Sequence, residues 1–202
     1  VVISQLLGAG KINRMKTAIN TALISILAMS IVLMFVGLVI CRPILKLMDT
    51  PDNILSDAEV YLNIYFWGLP FLFMFNVISS IFNSLGKSTI PLAFLIFSSV
   101  LNVVLDIYLI SSWNMGIKGA AYATLIAQAL SSLFSYIYLM MYLKKMTHKG
   151  SVSFFQFRIL KNMCRVAIPS TVQQSIVSVG MLLIQTAVNS FGSSYIAGYT
   201  AA

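Results

Sequence analysis

Residues 102 to 110 read NVVLDIYLI, an apolar helix pattern broken by one carboxylic acid, Asp106. Between Ile90 and Ile110 there is no other Asp or Glu, and no Lys, Arg or His. A charged side chain at the centre of a bilayer costs about 2.5–3.5 kcal/mol on insertion scales. Asp106 lies near the outer end of its run, so its cost is lower. An acid at such a place is by default a functional candidate. The bland reading is an interfacial or neutral Asp, hydrogen-bonded and serving packing.

The neighbours favour chemistry. Asn102 lies four residues before Asp106 and shares its helix face; Ser98 and Ser99 extend a polar stripe along that side. Across a short turn, Thr124 sits eight residues past Gly116 on the next apolar run. At about 1.5 Å rise per residue, Thr124 and Asp106 reach similar depth on adjacent antiparallel helices. Gln128 follows Thr124 one turn deeper. A carboxylate, an amide carbonyl and a hydroxyl are hard oxygen donors, suited to a small hard cation such as Na+. The same carboxylate can instead hold a proton, since removal from water favours the neutral form of an acid. Three donors are few for a dehydrated cation, so a further ligand is expected from elsewhere.

These residues must be positioned by membrane-spanning helices. The chain has 202 residues, of which 59% are hydrophobic and 9% charged, and its mean hydropathy is +0.91. Soluble domains carry about 25% charged residues. A spanning helix needs about 20 mostly apolar residues, and five runs qualify: Thr17–Ile40, Val60–Phe82, Ile90–Ile110, Gly119–Leu143 and Val166–Phe191. Val1–Leu7 reads as the tail of an earlier span and Tyr195–Ala202 as the start of a later one, so the chain is expected to be an internal piece of a longer protein. The fold class expected is all-α, a polytopic transmembrane helix bundle. LGAGK (Leu7–Lys11), SLGKSTIP (Ser84–Pro91) and SSWNMG (Ser111–Gly116) are short turns between antiparallel neighbours. Pro70 falls mid-span, where it can kink a helix; Pro169 is expected near the first turn of its span.

Lys and Arg give the orientation. Loops 8–16, 83–89 and 144–165 hold ten of them, and loops 41–59 and 111–118 hold three. The positive-inside rule makes the first set cytoplasmic and the second external. Asp49, Asp52, Asp57 and Glu59 fall in one external loop. The net charge of +8 therefore reflects loop placement rather than a nucleic-acid surface. Residues 144–165 form a basic linker, dividing 1–143 from 166–202; its FFQFRIL (Phe154–Leu160) suits a short amphipathic stretch at the membrane surface. Cys41 and Cys164 fall on opposite faces of this topology, so small apolar fillers are expected rather than a disulfide.

Several motifs are decoys. GKST (Gly86–Thr89) lacks the Gly five residues upstream that a phosphate loop needs; Ile81 stands there. His148 is the only His, in a Lys-rich loop, with no partner at metal-ligand spacing. No Ser-His-acid set is available within the spans, and FLFMF (Phe71–Phe75) reads as packing or lipid contact. No catalytic residues and no organic cofactor are assigned. A membrane-embedded transferase needs several acids for metal-diphosphate chemistry, and the spans hold one.

Six stretches resemble the MATE family, the multidrug and toxic compound extrusion transporters: SQLLGAGK from Ser4, NSLGKSTIP from Asn83, SSVLNVVLDIYLI from Ser98, GIKGAAYATLIAQ from Gly116, AIPSTVQQSIVSVG from Ala167 and NSFGSSYIAGYTAA from Asn189. They occur in order along nearly the whole chain, and LNVVLD with GIKGAAYAT is the more specific pair. The resemblance implies twelve helices in two lobes. Residues 1–143 would be most of the first lobe (the tail of helix 2 and helices 3 to 6), and 166–202 would be helix 7 and the start of helix 8. It implies a multi-pass protein of the plasma membrane, monomeric at full length, exporting cationic or amphipathic organic compounds in exchange for Na+ or H+. Asn102, Asp106 and Thr124 match three ligands of the family's first-lobe cation site; a fourth, an Asp on helix 1, would precede Val1. Some members carry an acid on helix 7, whereas Val166–Phe191 offers Gln173, Gln174, Gln185 and Asn189. The alternative is a flippase of lipids or lipid-linked oligosaccharides with related architecture. Such cargo is anionic, and the spans carry no Lys or Arg to meet it.

Overall fold

A computed structural model of the chain describes residues 1–47, 52–146 and 151–190, without the side chains of 52–54, 182, 183 and 185–190. The described residues form helices and short connections. They fall into two compact units, one ending at Phe157 and one beginning at Arg158.

The first unit holds α1 (Val2–Gly8), α2 (Ile12–Leu47), α3 (Asp52–Ser84), α4 (Thr89–Ile107) and α5 (Gly116–Lys145). A π-helical turn, Tyr108–Ser112, prolongs α4. Four of these segments are long and apolar enough to cross a membrane: Ile12–Leu47, Leu55–Ser84, Thr89–Ser112 and Gly116–Lys145. The chain is a multi-pass membrane protein. The turns close where expected, with Gly10 and Gly86 at φ +68° and +72°, a conformation costly for any residue bearing a Cβ.

α5 is the central helix, packed against both α3 and α4. Its buried side is a four-residue stripe: Gly119, Ala123, Ala127, Ser131, Ser135, Leu139 and Leu143. Small residues in its N-terminal portion let neighbouring backbones approach closely, the usual basis of helix packing in lipid. Larger residues take over toward the other end, where Phe82 packs against Tyr138 and Tyr142 at ring separations of 5.9 and 6.1 Å. Phe94 of α4 joins the same group through Tyr138 at 6.0 Å.

The helices overrun the expected spans, since their charged ends extend past the apolar stretch. α2 continues through Pro43 to Leu47 and α3 begins at Asp52. The expected external loop 41–59 thus shrinks to a connection over 48–51; Asp49 lies outside the described residues. Asp57 and Glu59 sit in the first turns of α3, where negative charge complements the helix dipole. Glu59 meets Arg42 at 3.7 Å, an exposed pair worth at most about 1 kcal/mol.

In the second unit, α6 (Phe157–Ser190) begins nine residues before the expected span, so 157–165 of the basic segment is helix rather than linker. Pro169 is therefore interior, not in a first turn, and its missing N–H leaves the Arg165 carbonyl without its helical donor. Cys41 is buried and Cys164 exposed, each a free thiol. His148 and Tyr195–Ala202 lie outside the described residues.

α2 and α3 meet through a glycine. A Cβ placed on Gly37 would overlap the Phe66 ring. Gly37→Ala is expected to destabilise the full-length protein by about 1–3 kcal/mol, the usual cost of overpacking, read as a lower melting temperature in detergent. Adding Phe66→Leu should recover part of the loss; no recovery would place the strain elsewhere.

Candidate functional site

Three polar contacts join α4 to α5 at successive turns. Ser131 Oγ donates to the Phe94 carbonyl at 3.1 Å, Ser98 Oγ to the Ala127 carbonyl at a long 3.5 Å, and Asn102 Nδ2 to Thr124 Oγ1 at 3.3 Å. Continuing this antiparallel register by one turn brings Asp106 level with Ala120, which has no side-chain donor. Asp106 Oδ1 is buried and has no hydrogen-bond partner among the described residues.

The proton count identifies what the cluster lacks. Thr124 has one hydroxyl proton, and it goes to the Ala120 carbonyl at 3.0 Å. Thr124 therefore meets Asn102 as acceptor only, which fixes the Asn102 amide nitrogen toward it and leaves the amide oxygen as that side chain's acceptor. A carboxylate oxygen, an amide oxygen and a hydroxyl lone pair lie along this part of the α4–α5 seam, with the Thr124 proton and one of the two Asn102 amide protons already committed. Such an arrangement attracts a cation or a proton. Asn102 and Thr124 are joined by this hydrogen bond; Asp106 shares their seam without a hydrogen bond to either.

Thr124 has a second side. With Gln128 it borders a small crevice against Tyr61, Tyr65 and Gly68 of α3. A Cβ on Gly68 would stand 3.4 Å from Leu125 Cδ1 and 3.7 Å from Gln128 Oε1, ordinary contact distances. Sequence reading placed Gln128 near the site and missed Tyr61, Tyr65 and Gly68. The four-residue spacing of the tyrosines was a usable signal, but nothing local paired α3 with Thr124. It also missed the π turn directly after Asp106. Gly119 admits that turn, since a Cβ on it would come within 3.2 Å of the Leu109 carbonyl carbon. π turns recur at functional sites. In α6, Gln173 and Gln174 are exposed, and the side chains of Gln185 and Asn189 lie outside the described residues. No group of three or more His, Cys, Asp or Glu side chains gathers among the described residues.

Known proteins share both this sequence and this fold. The family model MatE matches residues 1–108, more than half of the chain. The chain belongs to the MatE family. MatE is a family of transporters rather than enzymes. The probable multidrug resistance protein YpnP of Bacillus subtilis is 32% identical over 200 residues, covering 99% of this chain and 44% of that protein. The multidrug export protein MepA of Staphylococcus saprophyticus is 25% identical over 98% of this chain and 44% of its own length. An outward-facing multidrug resistance MATE family transporter of the MOP superfamily superposes with TM-score 0.82 at 25% identity, covering 99% of this chain and 45% of that one. The Vibrio cholerae transporter VcmN in its bent form gives 0.84 at 20% identity, a likeness of fold. The chain thus spans a little under half the length of the relatives it matches.

A cation that binds the folded protein alone raises its stability, by about 2.7 kcal/mol at a hundred times Kd. Adding Na+ at constant ionic strength is expected to raise the melting temperature of the full-length wild type. Asp106→Asn should abolish that response and Asn102→Ala should weaken it. Equal responses in wild type and Asp106→Asn would show that the cation acts elsewhere.

Proposed function

We propose that this chain forms most of the cation-coupled lobe of an exporter of organic compounds, working by alternating access. The observation that carries the reading is the buried, unpartnered Asp106 Oδ1 one helical turn from Asn102, whose amide donates to the Thr124 hydroxyl. The printed names of the relatives, multidrug resistance and multidrug export proteins, support the cargo class. Small cationic or amphipathic compounds are the proposed substrates and Na+ or H+ the coupling ion.

The proposed orientation places the turns near Gly10 and Gly86 and the segment after Lys145 in the cytoplasm of a plasma-membrane protein, monomeric at full length. The Asp106 end of α4 then faces outward. An external cation reaches Asp106 and binds with Asn102, Thr124 and a further ligand outside these residues. Neutralising the carboxylate removes the cost of its burial and favours a packing in which α4 and α5 close around it; substrate leaves outward. Release of the cation inward resets the cycle. Moving one charge across the membrane supplies about 2.3 kcal/mol per 100 mV, and binding shifts the two states only by its differential affinity for them. The spans hold no Lys or Arg, which favours cationic or neutral cargo over the anionic cargo of a flippase.

The test uses full-length protein in sealed proteoliposomes, with a Na+ gradient and then a pH gradient imposed while efflux of a cationic dye is followed. One gradient is expected to drive efflux, and Asp106→Asn to cut the driven component at least about tenfold, equivalent to about 1.4 kcal/mol. Undiminished driven efflux in Asp106→Asn would sink the mechanism.

A further inference from the structure

A second cavity lies deeper along α5, beyond Gln128. It has a volume of about 400 Å³, and its walls include Asn20 and Leu27 of α2, Met74 of α3, and Ser132 and Tyr136 of α5. None of its lining residues is charged. Small-molecule sites run from about 300 to 1,000 Å³, largely apolar with a few polar groups. The Asn20 amide and the Ser132 and Tyr136 hydroxyls supply those groups here.

Phe154, in the segment between α5 and α6, borders the mouth. That segment is pinned to α2 on either side of Phe154. Ser153 N–H donates to Thr17 Oγ1 at 3.2 Å and Gln156 N–H to Thr21 Oγ1 at 3.2 Å. The two threonines are four apart and share one face of α2, and both are buried. Each hydroxyl proton already goes back along the helix, to Asn13 O at 3.0 Å and Thr17 O at 2.7 Å. Only lone pairs therefore remain to receive the strap. Between the pins, the Phe154 side chain is 77% exposed, so it edges the opening without filling it.

We propose that this cavity binds a neutral, mostly apolar small molecule carrying one hydrogen-bonding group, and that the pinned strap with Phe154 gates it. The uncharged walls exclude an ion or a charged headgroup as occupant, because an unpaired charge there would be desolvated without compensation. Among the described residues, two hydrogen bonds from its backbone N–H groups to threonine hydroxyls hold the strap, so it can open without unfolding the helices. The proposal concerns occupancy and does not rest on the exporter reading.

The test is photolabelling of the full-length protein in lipid nanodiscs with a neutral phenyl-diazirine probe, mapped by mass spectrometry. Adducts are expected to concentrate on the peptides carrying Met74 and Tyr136, and an excess of the unreactive parent compound to protect them. Ser132→Trp, which fills the cavity, should cut this labelling about tenfold, the effect of weakening binding by one decade. Phe154→Ala changes an exposed segment and should leave folding intact while speeding labelling at the same peptides. Adducts spread in proportion to lipid exposure, or left unprotected by the parent compound, would overturn the site. If Ser132→Trp does not fold, Phe154→Ala decides: an unchanged labelling rate and pattern would overturn the gate.

Discussion

The seam between α4 and α5 sets where every polar group of the site can stand. Hydrocarbon offers no water to satisfy a hydroxyl or an amide, so these groups bond across the seam or back along their own helix. Ser131 reaches the Phe94 carbonyl, Ser98 the Ala127 carbonyl and Asn102 the Thr124 hydroxyl. These bonds fix the antiparallel register to a single turn. The stripe of Gly119, Ala123 and Ala127 permits them, since larger side chains would hold the backbones too far apart. Within that register the level of Asp106 meets an alanine.

The energies show that Asp106 is not there for stability. Interhelical hydrogen bonds in membranes average about 0.6 kcal/mol, whereas a mid-membrane acid costs several times that. Three contacts of this size, about 1.8 kcal/mol together, recover only part of the roughly 2.5–3.5 kcal/mol that a mid-membrane acid costs. The fold is held by apolar packing, with Met15, Ala18 and Ile19 of α2, Ile78 and Phe82 of α3, and Ala123 and Leu139 of α5 all buried. An acid whose Oδ1 is buried without a donor leaves the place that the proposed cation or proton would take. The same feature that weakens the resting fold makes it responsive.

Much of this was legible in the sequence because membranes impose simple rules. Apolar runs of about 20 residues gave the helices, and Gly10 and Gly86 gave the turns. The four-residue step from Asn102 to Asp106 and the 1.5 Å rise to Thr124 brought α4 and α5 to one depth, and the Asn102–Thr124 bond follows. Helix ends were less legible. The apolar run ends at Ile40, yet α2 runs on to Leu47, and α6 starts at Phe157 rather than Val166. Hydropathy marks where the bilayer ends, whereas a helix continues into water while its own hydrogen bonds hold. Contacts distant in sequence left no local signal. Thr17 and Ser153 are 136 positions apart, and a threonine that serves a strap reads the same as one that serves only its own helix.

The two seams of the first unit differ in kind, and that difference bears on how a cation could be felt. α2 meets α3 at Gly37 and Phe66, an apolar fit, with the exposed Arg42–Glu59 pair near its end. α4 meets α5 through hydrogen bonds that run up to a carboxylate. Under the proposed mechanism, neutralising Asp106 would act on the second seam, between α4 and α5. The π turn after Ile107 and the close approach of Leu109 to Gly119 lie at the end of α4 nearest the acid. A π turn can pass its extra residue along a helix without breaking its ends. A change of charge at Asp106 thus has beside it the one described segment whose hydrogen bonding can be rearranged at little cost.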